Sequence, residues 1–461
     1  MPVALTDSQN SGRQAWAPLA GLTRPVRAWL SDSGDHSIAQ KIAGAAFLIR
    51  VFSAGLIYLS QILLARCMGG FEFGIYVYVW TLVSMLGDLS DLGFSTSAQR
   101  FVPEYVKRGA FDLLRGFLSR SRWVAVGSAT VIAATGIIAV RLLEPHLTGY
   151  LVLPLSIAFA ALPFFALMQM QDGVARAHGW INLALLPPYI VRHLVMLAIV
   201  SAAYLFSFPT DAKTAVTATA VALALTVIGQ TFVLNRRLAR TFPPGPKAYE
   251  VKTWLSVSLP ILVVEGFYLL LTTVDIVMLQ HFRTPEDVAV YYAAAKTLAL
   301  ITFVHFAVSA AVGHRFSEYH VTRDHARLNR ILSDSIRWTF WGSLAASVVI
   351  LAMGRPLLWL FGSQFVAGYH LMLILMAGLM ARASVGPIER LLNMLGEQRV
   401  CAAVYAGAFV LNLVLCIVLI PRIGVDGAAV ATATALIFES VMLFIVTKRR
   451  LGFHVFIWGR S

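Results

Sequence analysis

Apolar residues run along this chain in blocks of about 20, the length an α-helix needs to cross a ~30 Å hydrocarbon core. About twelve such blocks can be drawn, at 43–65, 72–92, 122–142, 150–171, 184–206, 214–235, 254–280, 289–312, 337–354, 368–386, 400–420 and 427–447. The polar gaps between them alternate in character. Arg100, Lys107, Arg108, Arg115, Arg120 and Arg122 crowd one gap; Arg236, Arg237, Arg240, Lys247 and Lys252 a second; Arg315, Arg323, Arg327, Arg330 and Arg337 a third. Lys448, Arg449 and Arg450 close the last block. The intervening gaps hold only Arg66, Arg141, Lys213, Arg283, Arg355 and Arg422. This is the positive-inside bias, and with an even number of crossings it places both termini in the cytoplasm.

The pattern predicts an all-α membrane protein with about 12 transmembrane helices. Its expected parts are a cytoplasmic tail 1–42, a six-helix bundle 43–240, a Pro-rich cytoplasmic linker 241–253, a second six-helix bundle 254–447 and a tail 448–461. The gap from Phe101 to Phe117 is amphipathic and predicts a helix lying flat at the interface. The gaps on the other side are short, about four to fifteen residues, so no outer domain is expected.

Composition agrees. The chain has 461 residues, 58% of them hydrophobic and 13% charged, with a mean hydropathy of +0.74. A soluble domain carries about 25% charged residues. The net charge of +14 could point to nucleic acid, but its confinement to alternate gaps assigns it to membrane topology and to membrane lipids as partners, with no nucleic acid. Cys67, Cys401 and Cys416 show neither metal spacing nor an evident disulfide pair. The first 40 residues lack a short apolar core with a cleavage site, so the first membrane helix is expected to be retained. The expected location is a bacterial inner membrane.

The two halves echo one another. The stretch 61–82 can be laid on 275–298, which sets Gln61 opposite Asp275 and Tyr76 opposite Tyr291, and AVTATA at 215–220 resembles AVATATA at 429–435. Two bundles related by a parallel repeat are a common transporter plan.

A charged group at the bilayer centre costs about 2.5–3.5 kcal/mol on the insertion scale, so such residues face protein or water. Four cations fall inside the blocks: Arg50, Arg192, Lys296 and Arg382. They are the candidate ligands for an anionic substrate. Gln61, Glu265 and Asp275 are the candidate polar or coupling groups. Arg50, Ser53 and Gln61 share one helical face, and Glu265, Tyr268, Thr272 and Asp275 form a second stripe. Asp275 and Lys296 stand at similar depth on antiparallel neighbours, either as an ion pair holding that hairpin or as a coupling-ion or substrate site. Arg50 has no acidic residue at its depth on the adjoining helix, which favours an anion ligand. Arg192, beyond the Pro187–Pro188 pair, and Arg382 read equally as structural, snorkelling groups. His305 reads as a packing histidine, and Tyr76, Tyr291 and Tyr292 as interfacial aromatics that could also stack on sugars.

Several stretches resemble the polysaccharide-transport, Wzx-like branch of the multidrug/oligosaccharidyl-lipid/polysaccharide flippase superfamily. LLARCMGGFEFGIYVYVWTL (63–82) is similar to that family's L-A-R-x-L-G-x-x-x-F-G-x-Y opening, with Met68 and Gly70 departing from its Leu and Pro. LSDLGFSTSAQRFV (89–102), SLPILVVEGFYLLLTTVDIVML (258–279), YYAAAKTLAL (291–300) and VLNLVLCIVLIPRIGVDGAAVATATA (410–435) continue the resemblance. It implies two six-helix bundles around a cavity opening alternately to either side, and a polyprenyl-pyrophosphate-linked oligosaccharide as substrate. Surface polysaccharide synthesis is the implied process, lipopolysaccharide O-antigen or exopolysaccharide, with polysaccharide polymerase machinery as a further expected partner. No cofactor is expected beyond a coupling H+ or Na+.

Fixed cations in a hydrated cavity suit a pyrophosphate, which cannot cross lipid unaided. A cation-coupled exporter of small drugs shares the architecture but calls for an acidic, aromatic cavity. A membrane glycan polymerase or ligase calls for a large outer loop bearing acid, base or arginine groups. Nothing in the chain reads as a nucleotide loop or a partnered nucleophile, so no enzyme activity is expected.

Overall fold

The computed structural model of the protein describes residues 35–321, 324–452 and 455–458. Most of the expected leading tail, with Arg24 and Arg27, lies outside the described residues, as does Arg323. The chain falls into two units, Met1–Ile49 and Arg50–Ser461. The described part of the first is helical from Asp35.

Helices before the linker are α1 (Asp35–Ser90), α2 (Phe94–Arg108), α3 (Phe111–Leu142), α4 (Gly149–Ala177), α5 (Ile181–Leu186), α6 (Arg192–Leu205) and α7 (Ala212–Thr241). After it come α8 (Val251–Phe282), α9 (Pro285–Leu298), α10 (Thr302–Val321), α11 (His325–Ala352), α12 (Gly354–Phe361), α13 (Tyr369–Val385), α14 (Ile388–Met394), α15 (Gln398–Ile423) and α16 (Val425–Leu451). Among the described residues eleven stretches are long and apolar enough to cross a membrane. The first, Phe47–Arg108, has 62 residues, and at about 1.5 Å per residue a continuous helix of that length would run about 90 Å, far beyond one bilayer. Gly69, at φ 76° and ψ 174°, breaks it, so the stretch supplies two crossings and the described residues supply twelve.

Side chains exposed on these helices include Val131, Ile138, Leu142, Leu225, Ile228 and Phe232. On a soluble protein such a continuous apolar surface would aggregate; here it is the face that lipid covers. Cys67, Cys401 and Cys416 are free thiols.

Two local features differ from the sequence expectation. The amphipathic segment starts earlier than 101 and stops at Gly109, whose φ of 68° caps α2. Its apolar residues Phe94, Phe101, Val102 and Tyr105 are buried against α4 and α8, so they cover protein rather than lying flat on lipid. At Pro187–Val191 the chain widens into a π turn instead of breaking. Prolines there cannot donate to the preceding turn, and the Arg192 N–H reaches Pro187 O, five residues back. The widened turn sets where Arg192 emerges, and such turns recur at functional sites.

Helices of each half pack chiefly on one another: α4 on α3, α2 and α7 in the first, α16 on α15 and α13 in the second. The echo between halves has a structural counterpart. Tyr76 on the second crossing meets Thr219 of α7, with the threonine hydroxyl 3.4 Å from the phenol, and Tyr291 meets Thr432 of α16 at 3.1 Å.

The halves meet at both ends of the bundle. At the end carrying the basic loops, Ser258 donates to Ser97 at 2.7 Å and Trp254 Nε1 to the Tyr105 hydroxyl at 2.8 Å. Gly93 lies so close that a Cβ would stand 2.4 Å from Ser258 O. At the other end Gly74 packs against Pro285, where a Cβ would stand 1.8 Å from the carbonyl oxygen, and Arg66 Nε donates to Leu360 O at 2.7 Å. Glycine is required at Gly74 and Gly93 for this approach.

Candidate functional site

Two cavities lie between the halves. The first, about 310 Å³, is lined by Arg50 and Asp88 of α1, Gln169, Asp172 and Arg176 of α4, Tyr189 of the π turn, and Glu265 and Tyr268 of α8. The second, about 270 Å³, takes Gln61, Tyr76, Trp80 and Asp88 from α1, Arg192 and His193 from α6, Thr272 from α8, and Tyr292 and Lys296 from α9. Asp88 and Leu269 line both, so the two are neighbours. Each would hold about ten waters at roughly 30 Å³ apiece.

Polarity changes along this axis. The first cavity carries Asp88, Asp91, Asp172 and Glu265 against Arg50 and Arg176. Most of these groups are spoken for: Asp172 is bound by Arg176, Asp88 accepts from Gln169 Nε2 at 2.6 Å, and Glu265 accepts from the Thr96 hydroxyl at 3.0 Å. Asp91 accepts from the Gly93 and Ser95 N–H groups at 2.8 and 3.1 Å and so fixes the start of α2. Arg50 stacks over Tyr189, 4.6 Å from its ring centroid, and Phe306, at 5.6 Å.

The second cavity carries Arg192 and Lys296 against Asp88 alone. Arg192 lies 5.8 Å from the Trp80 ring centroid and Lys296 Nζ 5.1 Å from that of Tyr292. Among the described residues neither forms an ion pair within 4.0 Å. The Gln61 Oε1 beside them is buried without a hydrogen-bond partner. Two cations facing aromatic rings, Arg192 half-buried and Lys296 exposed to the cavity, and an unmet amide give this cavity polar groups without protein partners.

The structure does not form the expected Asp275–Lys296 pair. The Asp275 carboxylate instead takes a short hydrogen bond from Tyr291, one from Thr432 at 3.2 Å and its neighbour's N–H, from Ile276, at 2.9 Å. The reason is helical phase. At about 100° per residue, Asp275 stands roughly 100° from the middle of the α8 face that carries Glu265, Leu269, Thr272 and Ile276, so it turns toward α9 and α16 while the rest of the stripe faces the cavities.

Arg382 lines neither of these two cavities, though Tyr268 beside it lines the first. It lines a third cavity of about 550 Å³ with Tyr268, His305 and Glu389. Its Nη2 lies 2.9 Å from Glu389 and its Nε 3.7 Å from fully buried Glu439, so two carboxylates neutralise it. Burial would raise the pKa of Glu389, but Arg382 and His305 beside it hold that carboxyl well below the usual range. The sequence reading missed Asp172, Arg176 and Tyr189. The first two lie beyond the apolar block that ends at 171, yet α4 runs on to Ala177, and the spacing of Gln169, Asp172, Gly173 and Arg176 is that of one helical face.

A helical membrane body of two packed halves, meeting at both ends over a polar cavity, is the architecture of a membrane transporter. Residues 41–320 match the family model described as Polysaccharide biosynthesis protein, and residues 260–418 match MatE. The chain belongs to the polysaccharide biosynthesis protein family, the polysaccharide branch of the multidrug/oligosaccharidyl-lipid/polysaccharide flippase superfamily. A relative from Haloferax volcanii, the probable low-salt glycan biosynthesis flippase Agl15, is 21% identical over 398 residues, 86% of this chain and 80% of its own.

Solved structures share the fold. The lipid II flippase MurJ in an inward closed conformation has a TM-score of 0.68 at 15% identity, covering 88% of this chain and 87% of its own. An inward-facing multidrug resistance MATE family transporter has a TM-score of 0.68 at 14% identity, covering 88% and 94%. A transporter of the superfamily from Pyrococcus furiosus, whose binding pocket is described as of reverse polarity, has a TM-score of 0.66 at 14% identity, covering 89% and 95%.

Proposed function

We propose that the protein flips a polyprenyl-pyrophosphate-linked oligosaccharide repeat unit from the cytoplasmic to the periplasmic leaflet of a bacterial inner membrane, feeding surface polysaccharide synthesis. The observation that carries this reading is the pair of unpaired cations, Arg192 and Lys296, in the second cavity. A guanidinium and an ammonium supply directed and point-charge contacts to a diphosphate, and the surrounding protein spares that anion the cost of lipid. Arg50 offers the substrate a first contact from the side of the basic loops, which the charge bias assigns to the cytoplasm. The polyprenyl tail stays in the bilayer throughout.

Both cavities are too small for a glycan as they stand, so transport requires the halves to part at one end and then at the other. Asp88, shared by the two cavities, and Glu265 are the groups placed to couple that motion to H+ or Na+. A polysaccharide polymerase then takes the delivered unit on the far side; no catalytic step is assigned to this chain.

The test is deletion of the gene followed by lipid extraction. Lipid-linked repeat units are expected to accumulate on the cytoplasmic leaflet, and Arg50→Ala is expected to fail to clear them although it inserts normally. Absence of any accumulating lipid-linked glycan would contradict the proposal.

The acidic first cavity and the MatE match favour a second reading, the export of small organic cations. Drug resistance that rises on overexpression, with glycan export untouched by deletion, would select it.

A further inference from the structure

A fourth recess lies on the outside of the first half, away from the cavities above. It measures about 500 Å³ and is lined by Arg115, Ser119, Arg122 and Trp123 of α3, Thr231 of α7 and Lys247 of the linker, over an apolar floor. Its α3 residues are spaced as one helical face. Three cations and no carboxylate form its lining.

The linker builds one wall. Arg115 Nε and Nη1 donate to Pro246 O at 2.9 Å and Pro243 O at 3.0 Å, Lys247 Nζ reaches Ser119 Oγ at 3.3 Å, and the Ala248 N–H donates to Asp112 O at 3.0 Å. Gly116 permits this docking, since a Cβ there would stand 1.7 Å from Ala248 O.

Arg122 is the informative residue. Its Nη1 donates to Asn235 Oδ1 at 2.7 Å, while Nε and Nη2 are buried with no hydrogen-bond partner. Two adjacent N–H groups of one guanidinium match two oxygens of a phosphate, and leaving these buried atoms unmet is costly. Trp123 beside it is 71% exposed, in the manner of an aromatic side chain at the level of lipid headgroups. The recess therefore offers cations for a headgroup and an apolar floor for the start of its acyl chains.

We propose that this recess binds the phosphate of one anionic glycerophospholipid through Arg122 and Lys247, and that the bound lipid holds the linker between the two halves against α3. The opposing charge of the lipid argues for this occupant, and the linker supplies the consequence: the lipid composition of the leaflet on the basic side sets how freely one half moves on the other. The site shares no lining residue with the central cavities, so it stands or falls apart from the transported substrate.

The test uses the full-length protein in detergent, offered phosphatidylglycerol or phosphatidylethanolamine in native mass spectrometry. One tightly held phosphatidylglycerol is expected, and in Arg122→Gln/Lys247→Gln its retention falls about tenfold or more, as loss of charge-assisted hydrogen bonds implies. In parallel, amide exchange of linker residues 242–250 in the wild type is expected to slow with phosphatidylglycerol, and not with phosphatidylethanolamine or inorganic phosphate. The exchange arm keeps the test valid should the double variant fold poorly. Equal retention in a folded double variant, no slowing by phosphatidylglycerol, or equal slowing by inorganic phosphate would each overturn the proposal.

Discussion

If the protein exports a glycan as proposed, Lys296→Met is expected to cut that export sharply and to leave the protein as resistant to heat as the wild type. Lys296 has no carboxylate partner, lies over Tyr292 and is exposed to the cavity, so no internal ion pair depends on its charge. Methionine matches its stem and removes only the charge. What is lost is a charge-assisted contact to the substrate, about 1.5–3 kcal/mol by the usual scale of such bonds and so roughly tenfold to 150-fold in headgroup affinity. Asp275→Ala is the contrast. It strips a partner from buried Tyr291 and Thr432, and a drop of about 1–3 kcal/mol in stability is expected. Thermal unfolding in detergent, run beside an export assay, checks both. A strongly destabilised Lys296→Met, or one that exports normally, would remove Lys296 from the site.

Gly74→Val produces the second large effect. Its Cβ would stand 1.8 Å from the carbonyl oxygen of Pro285, an atom of the backbone that no rotamer change can move. Overpacking of this kind costs about 1–3 kcal/mol, enough to shift the balance between closed and parted halves by about five- to 150-fold. The end of the bundle opposite the basic loops is expected to stand open and export to fall. The readout is labelling of Ser84→Cys, which lines the second cavity, by an impermeant maleimide in a background with Cys67, Cys401 and Cys416 replaced. Labelling from that end should accelerate. Gly69→Ala provides the control, because its positive φ is strained yet nothing lies within 4 Å of the added Cβ. Faster labelling in Gly69→Ala than in Gly74→Val would mean that backbone strain, not the contact with Pro285, governs closure.

The crossings were legible because hydrocarbon imposes a length on any helix that spans it. All twelve apolar blocks are helical. The inward faces of α1 and α8 were legible from phase, since Arg50, Gln61, Glu265, Tyr268 and Thr272 all line the central cavities. Asp275 was misjudged by about one helical quadrant, a difference that spacing alone resolves poorly when the centre of the buried face is unknown. Arg382 illustrates another limit. Its neutralising partners, Glu389 and Glu439, stand in other helices, and no pattern local to α13 announces them. Asp172 and Arg176 escaped because hydropathy marks where lipid ends, whereas the helix continues into a polar cavity. The amphipathic period of α2 was visible in sequence, but the same period serves a lipid interface and a protein neighbour alike.

The family motifs hold the scaffold together instead of choosing the cargo. Gly427 lets α16 pack on the Leu419 backbone, where a Cβ would stand 2.6 Å away, and Asn412 Nδ2 donates to Leu271 O at 3.2 Å. The charged residues lining the central cavities lie at other positions, and a shared fold does not fix the cargo.

The most direct measurement is the affinity of purified protein in nanodiscs for a short-chain polyprenyl pyrophosphate, compared between wild type and Arg192→Ala/Lys296→Met. Saturable binding by the wild type and a loss of about tenfold or more in the double variant, with both proteins equally folded, is the predicted result. Equal affinity in the two proteins would contradict a headgroup site built on those cations.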